Sequence, residues 1–420
     1  MDDSRHGLRP VVLTLLLSAV IAATYGFGVY LFPVVLPEMK HEIGFGYAQA
    51  GYITAARQIA NVAMALLSGL AASRFGAARV MLAATALSAV GLACLAFAQD
   101  AWLVGVVMVA LNACAAATWV PMMALVAPLI DERHQAKAIG VIGSGTNYGV
   151  LLNGLLVPAL MALWGWRSVW LATALLTAAL SVVIVLLFAR LGTSRQAASA
   201  RPRTTRPRME VRSMLSRRWL LVYAIALLSG FAGVPFVTYF SAYAHDDLHL
   251  GLNVTAHAWA LVGLAGAVSG LALGMIGDAR SAAGQRQRDG MRTALISASI
   301  LLLCASAITA SRPGVLALMI AAVAFGFSFF PLFGLLHAYV GKTSAPAFAA
   351  IVCGVCEASF GVGGAAGNLI GGLCKSVSGS FQPVYVCAAI ASLLVVGLTW
   401  FVPGVRRAPQ ANPCALANLR

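Results

Sequence analysis

Long apolar runs alternate with short polar breaks along the whole chain. Twelve of them have spanning length, approximately at 11–36, 48–72, 78–98, 102–129, 137–163, 167–190, 218–243, 253–277, 292–311, 314–340, 346–373 and 381–403. About 20 apolar residues suffice to cross a bilayer core as a helix. The runs are continuous and show no period-two alternation, which predicts helices rather than barrel strands. The expected fold is therefore an all-α polytopic membrane protein. One break is out of rhythm: between Arg190 and Arg218 the chain carries nine arginines against one acid, Glu210, with Pro202, Pro207 and many small polar residues. Such a stretch cannot bury a core and reads as a linker. It divides the chain into a six-helix half at 1–190, a basic linker at 191–217, a second six-helix half at 218–405 and a tail at 406–420.

Composition fits this pattern, with 60% hydrophobic residues, 10% charged residues and a mean hydropathy of +0.88. A net charge of +15 would suit a nucleic-acid partner, but its placement excludes one. Of 28 Lys and Arg, 23 fall in connections on one side, four (Lys40, Arg167, Arg312, Lys375) on the other, and Arg57 lies within a span. That asymmetry is the positive-inside rule. It predicts cytoplasmic N- and C-termini in a bacterial-type inner membrane, with the linker anchoring topology and within reach of anionic lipid. The eight cysteines are scattered without metal-ligand spacing and read as small buried hydrophobes, so no metal or other cofactor is expected. Arg5 and Arg9 precede a long apolar run that lacks a small-x-small cleavage site, which predicts an uncleaved first helix.

The two halves echo each other. After the second span comes Gly69-Leu-Ala-Ala-Ser73-Arg74-Phe-Gly76-Ala-Ala-Arg79, and after the eighth Gly274-Met-Ile-Gly-Asp278-Ala-Arg280. Both stretches resemble the signature loop of the major facilitator superfamily, and the twelve-span plan resembles that family throughout. The resemblance implies two pseudo-symmetric six-helix halves, with Gly69, Arg74, Gly76, Arg79, Gly274, Asp278 and Arg280 as gating elements. Ser73 stands where the family's loop has an acid, which weakens the usual latch on that side. A second echo joins the fifth span, with Gly140, Gly149 and Asn153-Gly154, to the eleventh, with Gly354, Gly363, Gly367-Asn368 and Gly371-Gly372. This spacing resembles the family's antiporter-associated motif, fuller on the eleventh helix than on the fifth where the family carries it. Small residues at this period let helices pack backbone to backbone. Tyr25-Gly-Phe-Gly, Leu36-Pro37-x-Met39, Ser144-Gly145, Gly165-Trp166-Arg167, Trp259-Ala-Leu-Val-Gly263 and Phe360-Gly361-x-Gly363 further resemble the YbfB/YjiJ-like permeases and the oxalate/monocarboxylate carriers.

Two residues place a formal charge deep in the membrane, Arg57 in the second span and Glu357 among the seven glycines of 354–372. An ionised acid at the bilayer centre costs roughly 2.5–3.5 kcal/mol on insertion scales, so such positions point to function. In the architecture that the resemblance implies, the second and eleventh helices face each other, and the two charges either meet or share the central cavity. Three roles are open: Glu357 as a proton carrier, Arg57 as an anchor for an anionic substrate, or the two as a structural pair. A guanidinium suits the anion role because its donors form a fork matched to carboxylate. The cavity helices offer Tyr25, Tyr30, Asn112, Trp119, Asn147, Tyr148, Asn153, Thr238, Tyr239, Trp259 and Phe329 as further substrate contacts. Asn112 stands roughly where many proton antiporters of the family carry an arginine, which shifts weight to Glu357.

No nucleophile–base constellation, zinc motif or phosphate-binding loop occurs, so the chain is read as neither an enzyme nor an ATP-driven pump. The expectation is a secondary transporter of a small organic solute, acting by alternating access and as a monomer. Proton-coupled export by antiport is the leading form, because the glycine motif and the lone carboxylate coincide. Uptake of an organic anion on Arg57 is the competing one, and a membrane sensor on a transporter fold the reading from another class.

Overall fold

The computed structural model describes residues 3–130, 132–191, 214–278, 290–344 and 346–403, and among these every regular element is helical. The core of the linker, the tail and Arg280 lie outside the described residues. The first crossing is composite. Helix α1 (Asp3–Ile21) runs into a π-helical turn (Ala22–Phe27), and after an irregular step α2 (Phe32–Ile43) completes the passage. There follow α3 (Tyr47–Phe75), α4 (Ala77–Ala96) and α5 (Ala101–Leu129), then α6 (Glu132–Gly143) and α7 (Gly145–Leu191). The second half comprises α8 (Arg217–Asp246), α9 (Leu252–Asp278), α10 (Gly290–Ala310), α11 (Val315–Thr343), α12 (Pro346–Ser378) and α13 (Gln382–Trp400).

Local chemistry sets the ends. The Asp100 carboxylate accepts from the Leu103 N–H at 2.7 Å and caps α5. Gly76, with φ of 92°, makes the tight corner between α3 and α4, a conformation that costs glycine nothing. Ten stretches of the described residues are long and apolar enough to cross a membrane. One of them, Ala138–Ala189, holds two crossings that meet at Gly165, where φ is 73°. With the glycine-rich α12 these make the twelve expected crossings.

The two halves repeat one packing plan. In the first, α3 and α4 pack on α5, α4 also on α7, and α7 on the first crossing; in the second, α9 and α10 pack on α11, α10 also on α13, and α8 on α12. The halves meet through two symmetry-related pairs, α3 with α12 and α7 with α9, and through α2 with α8. Glycines bring these backbones together. A Cβ at Gly149 would lie 2.6 Å from the Ala22 carbonyl oxygen, one at Gly367 2.6 Å from that of Phe231, and one at Gly372 2.6 Å from that of Tyr47. Gly363 presses on the Leu227 carbonyl and Gly371 on the Tyr239 ring. Gly140 and Gly354, by contrast, have no neighbour within 4 Å of a Cβ position. The helical spacing of the glycines is thus a packing code for most of its positions and open at its first.

The end at which α2 meets α3, the one that the basic connections predict to be the outer end, is closed between the halves. At the opposite end, here called the inner one, α1, α5 and α6 make no extended contact with the second half among the described residues, nor α10 and α11 with the first.

Candidate functional site

The break in the first crossing places the site. Pro33 has no N–H, so the Val29 carbonyl loses the donor that a continuous helix would bring to it. The π-turn just before it, where Gly28 N–H reaches the Ala23 carbonyl at 3.2 Å and Tyr30 N–H the Tyr25 carbonyl at 3.1 Å, widens the helix at the same place. Irregular backbone at membrane depth is tolerated where protein or a cavity satisfies it. Here the donor is Arg57, whose Nη1 reaches the Val29 oxygen at 3.1 Å from α3. Arg57 is only 2% exposed, its Nε has no partner, and the Phe32 ring centroid lies 6.0 Å from the guanidinium carbon.

Arg57 and Glu357 do not pair. No ion pair among the described residues involves either one. Arg57 lies within electrostatic reach of Tyr30 and Tyr239, Glu357 within reach of Tyr25 and Tyr30, and Tyr30 is the residue that feels both charges. Glu357, Tyr25 and Tyr30 are half-buried, and Asn61 stands beside the Tyr25 hydroxyl. An aromatic wall from the second half faces them. The Phe330 ring lies 5.6 Å from that of Tyr30 across the interface between halves, and Phe329 and Phe360 continue the wall at 5.3 and 5.8 Å from one ring to the next. Phe333 packs on Phe360 at 4.7 Å. The arrangement is a charged, tyrosine-lined face in the first half opposite an apolar aromatic face in the second, with Glu357 between. Sequence reasoning missed Phe330 and Phe333 and took Phe360 only as part of a family resemblance, although the Phe-rich run Phe325-Gly-Phe-Ser-Phe-Phe-Pro-Leu-Phe333 was a signal.

The remaining candidates divide. Asn112 is buried and committed to structure, its side-chain amide donating to the Arg57 backbone carbonyl at 2.7 Å while its backbone carbonyl accepts from the Asn61 side chain at 3.2 Å. Asn153 likewise donates to the Gly26 carbonyl at 2.7 Å and ties α7 to the π-turn. Tyr239 is fully buried and donates to the Asn368 carbonyl at 2.7 Å, and Trp259 donates to the Ser241 hydroxyl at 2.9 Å inside the second half. Phe329 fills the notch left by Gly233. Tyr148 shares a helical stripe with Leu152 and Leu155, all at least 40% exposed, and so faces away from the cluster. Trp119 is partly buried against a core cluster of the first half, with its ring over Gly143. Thr238 and Asn147 are buried with an unpartnered side-chain oxygen each.

Among the gating residues, Arg74 and Arg79 are exposed, Gly69 is lightly packed, and Gly76 makes the corner already described. Ser73, in the place of the motif's acid, donates to the Leu70 carbonyl of its own helix at 2.8 Å and reaches no neighbour. Gly274 and Asp278 fall in the last turns of α9.

Polar contacts seal the outer end. Tyr47 of the first half donates to Asp246 of the second at 2.7 Å. Beside it Asp247 pairs with Lys375 and accepts from the Ser380 hydroxyl at 2.8 Å and the Phe381 N–H at 2.6 Å. Glu42 takes hydrogen bonds from Trp166 and Arg167 on the first half alone. Among the described residues the halves are thus tied by polar contacts at the end where α2 meets α3 and lack extended contacts from α1, α5, α6, α10 and α11 at the other.

Solved structures share this architecture. A bacterial homologue of the human lysosomal transporter Spinster, in an inward-facing and occupied conformation, superposes with a TM-score of 0.71 at 12% identity over 96% of this chain and 99% of that one. The nucleoside transporter NupG superposes with a TM-score of 0.70 at 16% identity over 93% and 99%. At such identity the likeness shows the fold alone. A gallate transporter of Pseudomonas putida is 30% identical over 177 residues, which are 41% of this chain and 39% of that protein. The major facilitator superfamily model matches residues 18–340, and the chain belongs to that family of membrane transporters.

Proposed function

We propose that the chain carries a small aromatic carboxylate into the cell, with Arg57 as the anion's anchor and Glu357 as the group that carries a proton with it. The observation behind this reading is the state of Arg57. A guanidinium 2% exposed at membrane depth, with no carboxylate partner and an idle Nε, is costly unless an anion completes it in another state. When the outer ends of α3, α8 and α12 part, Arg57 becomes accessible from outside and exchanges the Val29 carbonyl for the carboxylate, a stronger acceptor. On return to the closed-outside state the Val29 carbonyl is again at hand and competes the anion off. The Tyr30–Phe330 pair suits a flat apolar ring attached to that carboxylate. The partial likeness to a gallate transporter agrees with an aromatic acid.

Glu357, half-buried between Tyr25 and Tyr30 and without a cation partner, is placed to be neutral in one state and ionised in the other. The glycine series carries no weight for export, since Gly363, Gly367, Gly371 and Gly372 are each used in helix packing. The basic connections put the inner end in the cytoplasm of an inner-membrane protein, and one chain holds both halves of the pathway.

The test is uptake of radiolabelled benzoate and gallate into proteoliposomes under an inward proton gradient. Wild-type protein should accumulate at least one of them. Arg57→Gln should abolish binding, whereas Glu357→Gln should keep counterflow exchange and lose accumulation driven by the pH gradient. Accumulation by Glu357→Gln equal to wild type sinks the proton assignment, and binding without flux in wild type marks a receptor instead.

A further inference from the structure

Of the four Lys and Arg at the outer end, Lys40 is the one that stands on the seam between halves without an acid bound to it. Arg167 pairs with Glu42 inside the first half, and Lys375 with Asp247 inside the second. Arg312 belongs to the connection between α10 and α11, neither of which makes extended contact with the first half. Lys40 lies in the last turn of α2, half-buried, and forms no ion pair among the described residues. Its amine stands 4.3 Å from the centroid of the Tyr47 ring. That side chain crosses to Asp246 of the other half, and Asp246 lies within electrostatic reach of Lys40. The Lys40 charge is therefore answered by an acid on the far side of the interface where α2 and α3 meet α8 and α12.

We propose that Lys40 is the capture residue of the carrier, the first cation that an incoming organic anion meets at the open mouth. This rests on the reading of the chain as an anion importer and adds how the anion reaches Arg57. Parting of the halves takes Asp246 away from Lys40 together with the Tyr47 bond, since both cross the same interface. On the facing side Asp247 keeps Lys375, and Asp246 keeps His245 beside it. The first half thus presents a free cation when the mouth is open and a compensated one when it is closed. Arg57 lies on the same helix as Tyr47, roughly 15 Å further in at ~1.5 Å per residue. Its guanidinium fork holds a carboxylate better than an ammonium does, so the anion passes from the outer cation to the inner one. A cation at a mouth raises the local concentration and the entry rate of anions, and salt suppresses the effect steeply. Closure brings Asp246 back to Lys40, and an anion at Arg57 is no longer drawn outward.

Initial uptake of radiolabelled benzoate and gallate by the full-length carrier in proteoliposomes, at about 10 mM and about 500 mM ionic strength, tests this. The first condition leaves a screening length of about 30 Å, whereas the second cuts it to a few Å. Lys40→Gln should raise KM for external substrate about three- to tenfold at low ionic strength and less than about twofold at high. Its kcat should stay at the wild-type value, which also reports that the variant folds. Lys40→Arg keeps the charge and should behave as wild type. If Lys40 only steadies the Tyr47 ring, its loss weakens closure and exposes Arg57, so that KM for external substrate falls instead. That result overturns the proposal, as do an unchanged KM, a rise equal at both ionic strengths, a loss confined to kcat, or an Arg variant that behaves as the Gln variant does. Any of these, with wild type still transporting a probe, defeats the Lys40 assignment alone. Transport of neither probe by wild type defeats the anion reading with it.

Discussion

At position 33 the imino acid removes the N–H that a continuous helix would direct at the Val29 carbonyl, and the Arg57 guanidinium stands in its place at 3.1 Å. Pro33→Ala should therefore restore a backbone donor and leave Arg57 without its internal acceptor in the inward-open state. Hydrogen bonds to charged groups contribute about 1.5–3 kcal/mol. The variant should thus hold substrate about tenfold more tightly from the inner side and release it more slowly, with lower net uptake and near-normal exchange. Equilibrium binding and single-turnover release from proteoliposomes check this, and unchanged release would separate Arg57 from the helix break. Arg57→Lys should bind substrate weakly even though the charge is kept, because an ammonium lacks the fork that bridges carbonyl and carboxylate. Much of this was legible in the chain: Arg57 and Glu357 stood out because charge is scarce among long apolar runs. Their partners did not, because a residue such as Asn112 shows its type in sequence but not whether its amide is spent on a neighbouring backbone. The Val29 carbonyl was invisible for a simpler reason, since every residue has one.

Glycine contacts between helices come in two kinds, and they predict different phenotypes. Gly363 lies against the Leu227 carbonyl and Gly230 against that of Phe360, so α8 and α12 touch backbone to backbone within one half. A Cβ at Gly363 cannot be accommodated in any conformation that keeps that half intact. Gly363→Ala should destabilise the whole carrier by about 1–3 kcal/mol, the range for overpacking, read as a lower melting temperature with or without substrate. Gly154 instead faces the neighbouring half, where a Cβ would lie 2.6 Å from the Ala256 carbonyl oxygen on α9. Parting of the halves at the outer end would break this contact. Gly154→Ala should therefore leave the melting temperature nearly unchanged and favour the outward-open state. The repeat of glycines was readable as helix packing from its period alone. Which glycines pair within a half and which across it depends on the rotation of each helix about its axis, and that is a tertiary fact.

Across the whole molecule, the closed outer end is held by a small set of polar contacts set on an apolar interface. Only Tyr47 donates directly from one half to an acid of the other, at 2.7 Å to Asp246, among the polar side-chain bonds of the described outer end. Its ring is gripped as well, edge-on to Phe381 at 4.9 Å and with Lys40 and Lys375 over its faces at 4.3 and 5.9 Å. Asp247, Lys375, Ser380 and Phe381 build the socket by hydrogen bonds and an ion pair made inside the second half. Removing the Tyr47 hydroxyl should thus weaken closure without dissolving the socket. With a bond to a carboxylate contributing about 1.5–3 kcal/mol, Tyr47→Phe should shift the balance toward outward-open by about tenfold, and Tyr47→Ala further, as the ring contacts go too. Spin labels at Gln99 and Val377, exposed at the outer ends of the two halves, report the change as a longer distance population. An equal shift in Ser380→Ala, which loosens only the socket around Asp247, would mean that the socket and not the Tyr47 crossing holds the gate. If Tyr47 is the crossing, its variants should also raise Arg57-dependent binding from the outside, because the same opening that loses the Asp246 bond exposes the guanidinium. A shift in distance without that gain would disconnect the gate from the proposed anion site.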